Sequence, residues 1–205
     1  ALMEMVQETY DCIEEIEQLL NDSLGLQQCG SITIASSDAS LKGLIALEEA
    51  ANRFGIPNER IDKAKTRELL PWIDATHVDT ALYMPTDAFI DSASLCSGYA
   101  RAAQALGVEI RCNTQVSAIT TEDEAVTGVQ LADGQKITAP IVVNAAGSWA
   151  NLLMRPLHIG LPFTPVRSHF WISGTDKERF PVNHPFTVIP DARAFTRSDV
   201  GALII

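Results

Sequence analysis

The sequence lacks closely spaced glycines, and this lack excludes the usual phosphate-binding loops. Its two nearest glycines, Gly25 and Gly30, are five residues apart, so there is no G-x-G. A dinucleotide fingerprint needs glycines two residues apart, because the backbone must turn tightly and approach the pyrophosphate. The near-match GLQQCGSI at residues 25–32 has Ser31 where a phosphate loop has lysine, and it follows a predicted helix. We interpret it as the loop after a helix end.

Cysteine, histidine and basic residues are too scattered or too few for several other functions. The four cysteines have no C-x-x-C spacing, and the four histidines have no partner at ligand spacing, so neither a metal site nor a disulfide framework is predicted. The net charge of −11 disfavours nucleic acid and anionic membranes as partners. No stretch approaches the roughly 18 apolar residues of a membrane span. The cysteine usage favours a reducing compartment, and we expect a cytoplasmic protein.

Hydrophobic residues are plentiful, at 46% of 205 residues, which is enough to bury a core. Apolar residues recur at helical spacing in four segments, and a half-buried strand, SITIAS, is predicted at residues 31–36. The predicted helices cover residues 2–20, 39–54 with Ser37 or Asp38 as cap, 62–70, and 91–105 with Asp91 as cap.

After the fourth helix the pattern predicts a run of short strands. The expected strands are VEIRC at 108–112, then 115–120, 125–131 and 136–138, and finally 141–145. The middle three form an antiparallel meander with a hairpin turn at Asp133-Gly134, inserted between two strands that could be parallel neighbours. Residues 161–205 hold further strand-like runs, HFWIS and GALII, separated by prolines.

The run from Ala81 to Trp149 resembles a known family, the flavin-dependent amino acid and amine oxidoreductases. This is the group of D-amino acid oxidase, sarcosine oxidase, glycine oxidase and dimethylglycine dehydrogenase. The matching segments are ALYMPTDAFID, RAAQALGVEIRCNTQVSAI and VTGVQLADGQKITAPIVVNAAGSWA, which ends in the family signature AAG-x-W. CGSI at residues 29–32 and FTRSDVGALII at the end are similar to other parts of the same family.

The resemblance implies an α/β (α+β) fold with two kinds of domain. Residues 89–155 are expected to form a partial FAD-binding domain with the inserted antiparallel meander. Residues 1–88 and 156–205 are expected to build a mixed-sheet substrate domain flanked by helices, in which SITIAS and HFWIS share one sheet. The family's opening G-x-G-x-x-G segment is absent, so we expect an internal fragment whose missing segments belong to a longer parent chain, and which alone is inactive and does not retain FAD.

The resemblance also implies site residues. Ala145, Ala146 and Gly147 would be small to leave room for FAD, the main chain of Val116 would meet the adenine, and Trp149 completes the signature. Small residues at a strand end can equally serve packing against a helix, and the aromatic can be core.

On the substrate side, Arg167 could pair a carboxylate. His169 is the second candidate. The dimethylglycine branch tends to have a histidine at the position of Ser168, one place earlier. A shift of one residue along a strand turns a side chain to the opposite face, so His169 cannot simply take over that role. Structural roles for both residues stay open. The implied function is oxidation of an amine or amino acid C–N bond, with hydride transfer to FAD and an imine product. The alternative is a non-catalytic regulatory or scaffold homologue that keeps the fold.

Overall fold

The computed structural model describes residues 2–205, and the side chains of these except at positions 2, 3 and 77. By its contacts the chain divides into two units. The first unit holds residues up to 108 together with 169–205, and the second unit holds residues 109–168.

The strands are β1 (Ser31–Ala35), β2 (Glu59–Ile61), β3 (Thr80–Met84), β4 (Val116–Glu122), β5 (Ala125–Leu131), β6 (Lys136–Thr138), β7 (Phe186–Ile189), β8 (Ala194–Asp199) and β9 (Ala202–Ile204). The helices are α1 (Leu2–Leu20), α2 (Asp38–Arg53), α3 (Lys63–Leu69), α4 (Ser92–Ala105) and α5 (Ala150–Met154).

The first unit is built on a six-stranded mixed sheet in the order β2-β3-β1-β7-β8-β9. β1 and β7 run parallel, and the other neighbours are antiparallel. Alternation along β1 sends Ile32 and Ile34 to one face, where they pack in a buried cluster with Leu70. Ala35 joins a second cluster that contains Leu44 of α2. The central strands of the sheet are therefore covered on both faces. The expectation was a mixed sheet flanked by helices.

The four helical predictions are confirmed within one residue at each end. Local capping explains this success, since Ser37 caps α2 with a reciprocal capping box, and Asp91 accepts a bond from the Ser94 N–H at 2.8 Å. α4 packs beside α1, where the buried Leu24 contacts Gly98 so closely that a Cβ at position 98 would clash. None of the described helices is long and apolar enough to cross a membrane.

The second unit contains the expected three-stranded antiparallel sheet, in the order β4-β5-β6. The Asp133-Gly134 turn connects β5 to β6, and the Asp133 carboxylate accepts a bond from the Gln135 N–H at 2.9 Å. Gly134 has a positive φ of 89°, which the turn requires. The meander prediction is confirmed.

The two strands expected on either side of the meander do not form. Residues 108–112 and 141–145 lie in no sheet of the described chain, and Ile141 and Val143 are 78% and 83% exposed. A strand is stable only beside another strand that pairs its backbone N–H and C=O groups. The strand predictions for these two segments are therefore wrong in the described chain, because a β-branched pattern does not encode the strand that must pair with it.

HFWIS attaches to the six-stranded sheet, although it is not a full strand. Ile172 forms an isolated bridge with Ile204, and Trp171 and Ile205 exchange backbone bonds of 3.0 and 2.9 Å. This segment therefore pairs with the β9 edge of the sheet that contains SITIAS. The expected domain limits at residues 88 and 155 were defined by which segments would bind the cofactor, whereas the two units above are defined by contacts. Those domain limits stay a prediction.

Candidate functional site

A cavity of about 700 Å³ lies within the second unit. This volume falls in the range of small-molecule binding sites. It opens between the beginning of the meander and the segment that leads into α5. Its lining residues are Gln115, Val116, Ser117, Ile119, Val129, Val142, Val143, Asn144, Ala145, Ala146, Trp149, Leu152 and Leu153.

The start of β4 forms one wall of this cavity. Val116 pairs with Leu131 across the meander, and the register shifts between Val116 and Ala118. The Ser117 hydroxyl lies within hydrogen-bonding distance of the Gln130 and Leu131 carbonyl oxygens, at 3.0 and 3.1 Å. A bulge of this kind re-aims side chains at a sheet end, and here it lies at the cavity edge.

The opposite wall is a tight turn that follows residues 141–145. Residues Gly147–Trp149 form a 3-10 turn that runs directly into α5, and the Trp149 N–H donates to the Ala146 carbonyl at 3.0 Å. Small side chains at Ala145 and Ala146 leave the space beside the turn open. The Trp149 side chain is 68% exposed and borders the cavity, so it is not a core residue.

Gly147 has a different role from the two alanines before it. Its φ is +52°, in the left-handed region, and a Cβ built there would meet no atom within 4 Å. It does not line the cavity. The backbone conformation therefore explains the glycine at least as well as the volume of a cofactor does.

All the lining residues are uncharged, so the cavity itself offers no cation to a phosphate group. A lining of mostly apolar side chains suits an uncharged group with apolar faces. The cavity could accept an uncharged group, whereas a pyrophosphate would need donors from elsewhere.

Four of the five expected cofactor residues, Val116, Ala145, Ala146 and Trp149, thus meet around one cavity. Arg167 and His169 are exposed and do not belong to its lining. The substrate-side roles expected for these two residues stay a prediction.

Sequence reasoning did not single out Ser117 and Asn144. Both are polar residues next to predicted site residues, and both turn their side chains back to nearby main-chain groups. Two sequence features could have pointed to them: a serine within a predicted strand and an asparagine directly before a turn. Both side chains readily form hydrogen bonds with the local backbone.

Comparison with known proteins identifies the family. The chain belongs to the FAD dependent oxidoreductase family, whose model matches residues 1–205. It is 31% identical over 195 residues to the mitochondrial pyruvate dehydrogenase phosphatase regulatory subunit of Mus musculus, covering 93% of this chain and 22% of that protein. It is 29% identical over 196 residues to the mitochondrial sarcosine dehydrogenase of Homo sapiens, covering 93% and 21%.

Solved structures share the fold. The L-proline dehydrogenase of P. horikoshii superposes with a TM-score of 0.80 at 23% identity, over 97% of this chain and 53% of that one. Glycine oxidase from Bacillus cereus gives 0.80 at 21% identity, over 100% and 56%. The family resemblance, the fold class and FAD as the family's cofactor are confirmed, while the chain spans about a fifth of the length of the curated relatives it matches.

Proposed function

We propose that this chain is part of an enzyme that oxidises a C–N bond of an amine or amino acid with FAD. The supporting observation is the uncharged cavity formed by Val116, Ala145, Ala146 and Trp149, which we assign to the adenosine part of the cofactor. Residues 89–155 would contribute to the cofactor domain, and the six-stranded sheet would belong to the substrate domain.

Bound FAD would supply the acceptor for a hydride equivalent from the amine Cα–H. The residues of this chain bind and orient rather than react. The small side chains of Ala145 and Ala146 leave space in the cavity for the cofactor. Val116 presents its main chain at the opposite wall, and Trp149 offers an aromatic face at the opening. Arg167, which is exposed, is the proposed partner of a substrate carboxylate, as guanidinium groups commonly are.

The proposal includes a longer polypeptide. The curated relatives are four to five times longer than the region they share with this chain, and this chain has no G-x-G. A glycine-rich turn elsewhere in the whole protein would supply backbone N–H groups and a helix amino end for the pyrophosphate.

The test is to purify the whole protein and record its flavin spectrum and amine-dependent dye reduction with sarcosine, dimethylglycine and D-alanine. We expect one FAD per protein and reduction with at least one substrate of this class. Ala146→Leu should weaken FAD binding, because its added carbons occupy the cavity, whereas Ala132→Leu in the exposed meander turn should not. A protein that binds no FAD would contradict the proposal.

A second function is favoured by one observation. The regulatory subunit of pyruvate dehydrogenase phosphatase is 31% identical to this chain, and its name describes a regulator rather than an oxidoreductase. The alternative is therefore a non-catalytic homologue that keeps the fold. A degraded glycine fingerprint in the whole protein, with no amine-dependent reduction, would favour this alternative.

A further inference from the structure

Asn144 lies at the point where the chain enters the turn beside the cavity. Its side chain makes two hydrogen bonds in opposite senses. The Oδ1 atom accepts a bond from the Ala146 N–H at 3.2 Å, and the Nδ2 atom donates to the Ala150 carbonyl oxygen at 3.1 Å. One carboxamide therefore ties both ends of the turn from residue 144 to residue 150.

These bonds hold the turn from within residues 144–150 and need no strand pairing of the segment before it. Residues 141–145 lie outside every strand of the described chain. Within the turn, the backbone bond from Trp149 to Ala146 closes only its second half. The side chain of Asn144 closes the first half and links it to the first residue of α5.

We propose that Asn144 is a positioning residue for the cofactor: its carboxamide fixes the turn so that Ala145, Ala146 and Trp149 keep the wall that receives the adenosine part of FAD. This inference rests on the proposed function. A carboxamide suits the role because it carries an acceptor and a donor in one group. A leucine of similar size has neither, and a serine has both on one hydroxyl that is too short to span the turn.

Asn151 provides a matched control in the same unit. Its Nδ2 donates to the Leu161 carbonyl at 3.2 Å, and its Oδ1 accepts from the Leu161 N–H at 2.8 Å. It is also half-buried, but it does not line the cavity. Asn151→Leu removes the same number and kind of bonds from a place that does not face the proposed cofactor.

The experiment compares Asn144→Leu and Asn151→Leu in the whole protein. FAD affinity is measured by flavin fluorescence, the melting temperature is measured without FAD, and amide hydrogen exchange is followed at residues 145–150. We expect both variants to melt at similarly lower temperatures. Only Asn144→Leu should exchange faster at residues 145–150 and bind FAD at least about tenfold more weakly, a difference of about 1.4 kcal/mol.

Several outcomes separate the two proposals. Unchanged FAD affinity in Asn144→Leu, or an equal loss in both variants, would overturn the role of Asn144 and leave the proposed function standing. A wild-type protein that binds no FAD would overturn the proposed function together with this role. If Asn144→Leu does not fold, Asn144→Ser and Asn151→Ser provide the same comparison, with the same expected difference in FAD affinity.

Discussion

At position 147 the conformation of the backbone decides which side chains are accepted. Its φ of +52° is left-handed, and the space around a built Cβ is open. A larger residue would therefore be disfavoured by backbone strain even with no cofactor present. A β-branched residue such as valine at position 147 would be strained whether or not a cofactor is bound.

We predict that Gly147→Ala destabilises the protein by about 1–2 kcal/mol, the cost of placing an ordinary L-residue in the left-handed region. Asparagine visits this region more readily, so Gly147→Asn should lose less. Urea denaturation of both variants measures the difference. Equal stability of the alanine variant and the wild type would show that the left-handed conformation is not required.

Residues at the cavity were predictable to different degrees. Ala145, Ala146 and Trp149 form a contiguous signature, so a short stretch of sequence suffices to recognise them. Val116 could be placed only through the family resemblance, since nothing in its own pattern joins it to residues some thirty positions later. Asn144 was missed because its partner at Ala150 becomes a neighbour only after the turn has formed.

At the scale of elements, one contact fixes the beginning of α2 to the turn between β7 and β8. Asp191 lies in that turn, and its carboxylate accepts bonds from the Ser37 hydroxyl at 2.6 Å, the Ser40 hydroxyl at 2.7 Å and the Ser36 N–H at 3.2 Å. We call this set the serine clip. The hydrogen bonds from Ser37, and then from Ser40, lower the pKa of the Asp191 carboxyl below its usual value.

The pH dependence of the serine clip follows from that direction. A carboxyl whose pKa is lower in the folded state stabilises the fold above its unfolded pKa of about 3.9. This contribution is lost as the pH falls through the folded-state pKa. We therefore predict that Asp191→Ala lowers the melting temperature at pH 7, and that the gap to wild type narrows below about pH 4.

Thermal melting of both proteins from pH 7 to pH 3 checks this prediction. Asp38→Asn is the control, since it removes a carboxylate from the first turn of the same helix and leaves the serine clip intact. Its effect should be smaller at pH 7. A gap between Asp191→Ala and wild type that stays constant over the whole pH range would contradict the role of the ionised carboxylate.

The helices could be predicted better than the strands. A helix is determined mainly by its own residues, whereas a strand also needs a pairing partner elsewhere in the chain. α1, α2 and α4 carry their periodicity within the segment itself, and a capping residue directly precedes α2 and α4, so their limits could be read from the sequence. The segments 108–112 and 141–145 have strand composition but pair with no described strand. The serine clip joins positions more than 150 residues apart, and no local pattern indicates such a contact.

At the scale of the whole molecule, the two units differ in what supports them. The first unit has a sheet covered on both faces and two buried clusters. The second unit has a small meander, a short helix and a segment outside any described strand with exposed Ile141 and Val143. The unit that contains the candidate site is therefore the one with less internal packing, and bound cofactor would be expected to stabilise it by mass action.

The last prediction concerns the 205-residue chain by itself. Its cavity has uncharged walls, and its sequence has no G-x-G to bring backbone N–H groups to a pyrophosphate. Contacts to the adenosine part alone must offset the loss of translational and rotational freedom, which costs at least about 4 kcal/mol. We therefore predict no saturable quenching of flavin fluorescence at micromolar FAD and no dye reduction with sarcosine. Circular dichroism of the same sample would show that the chain is folded, and the whole protein serves as the positive control. Tight, stoichiometric FAD binding by the chain alone would mean that residues present here replace the glycine-rich turn.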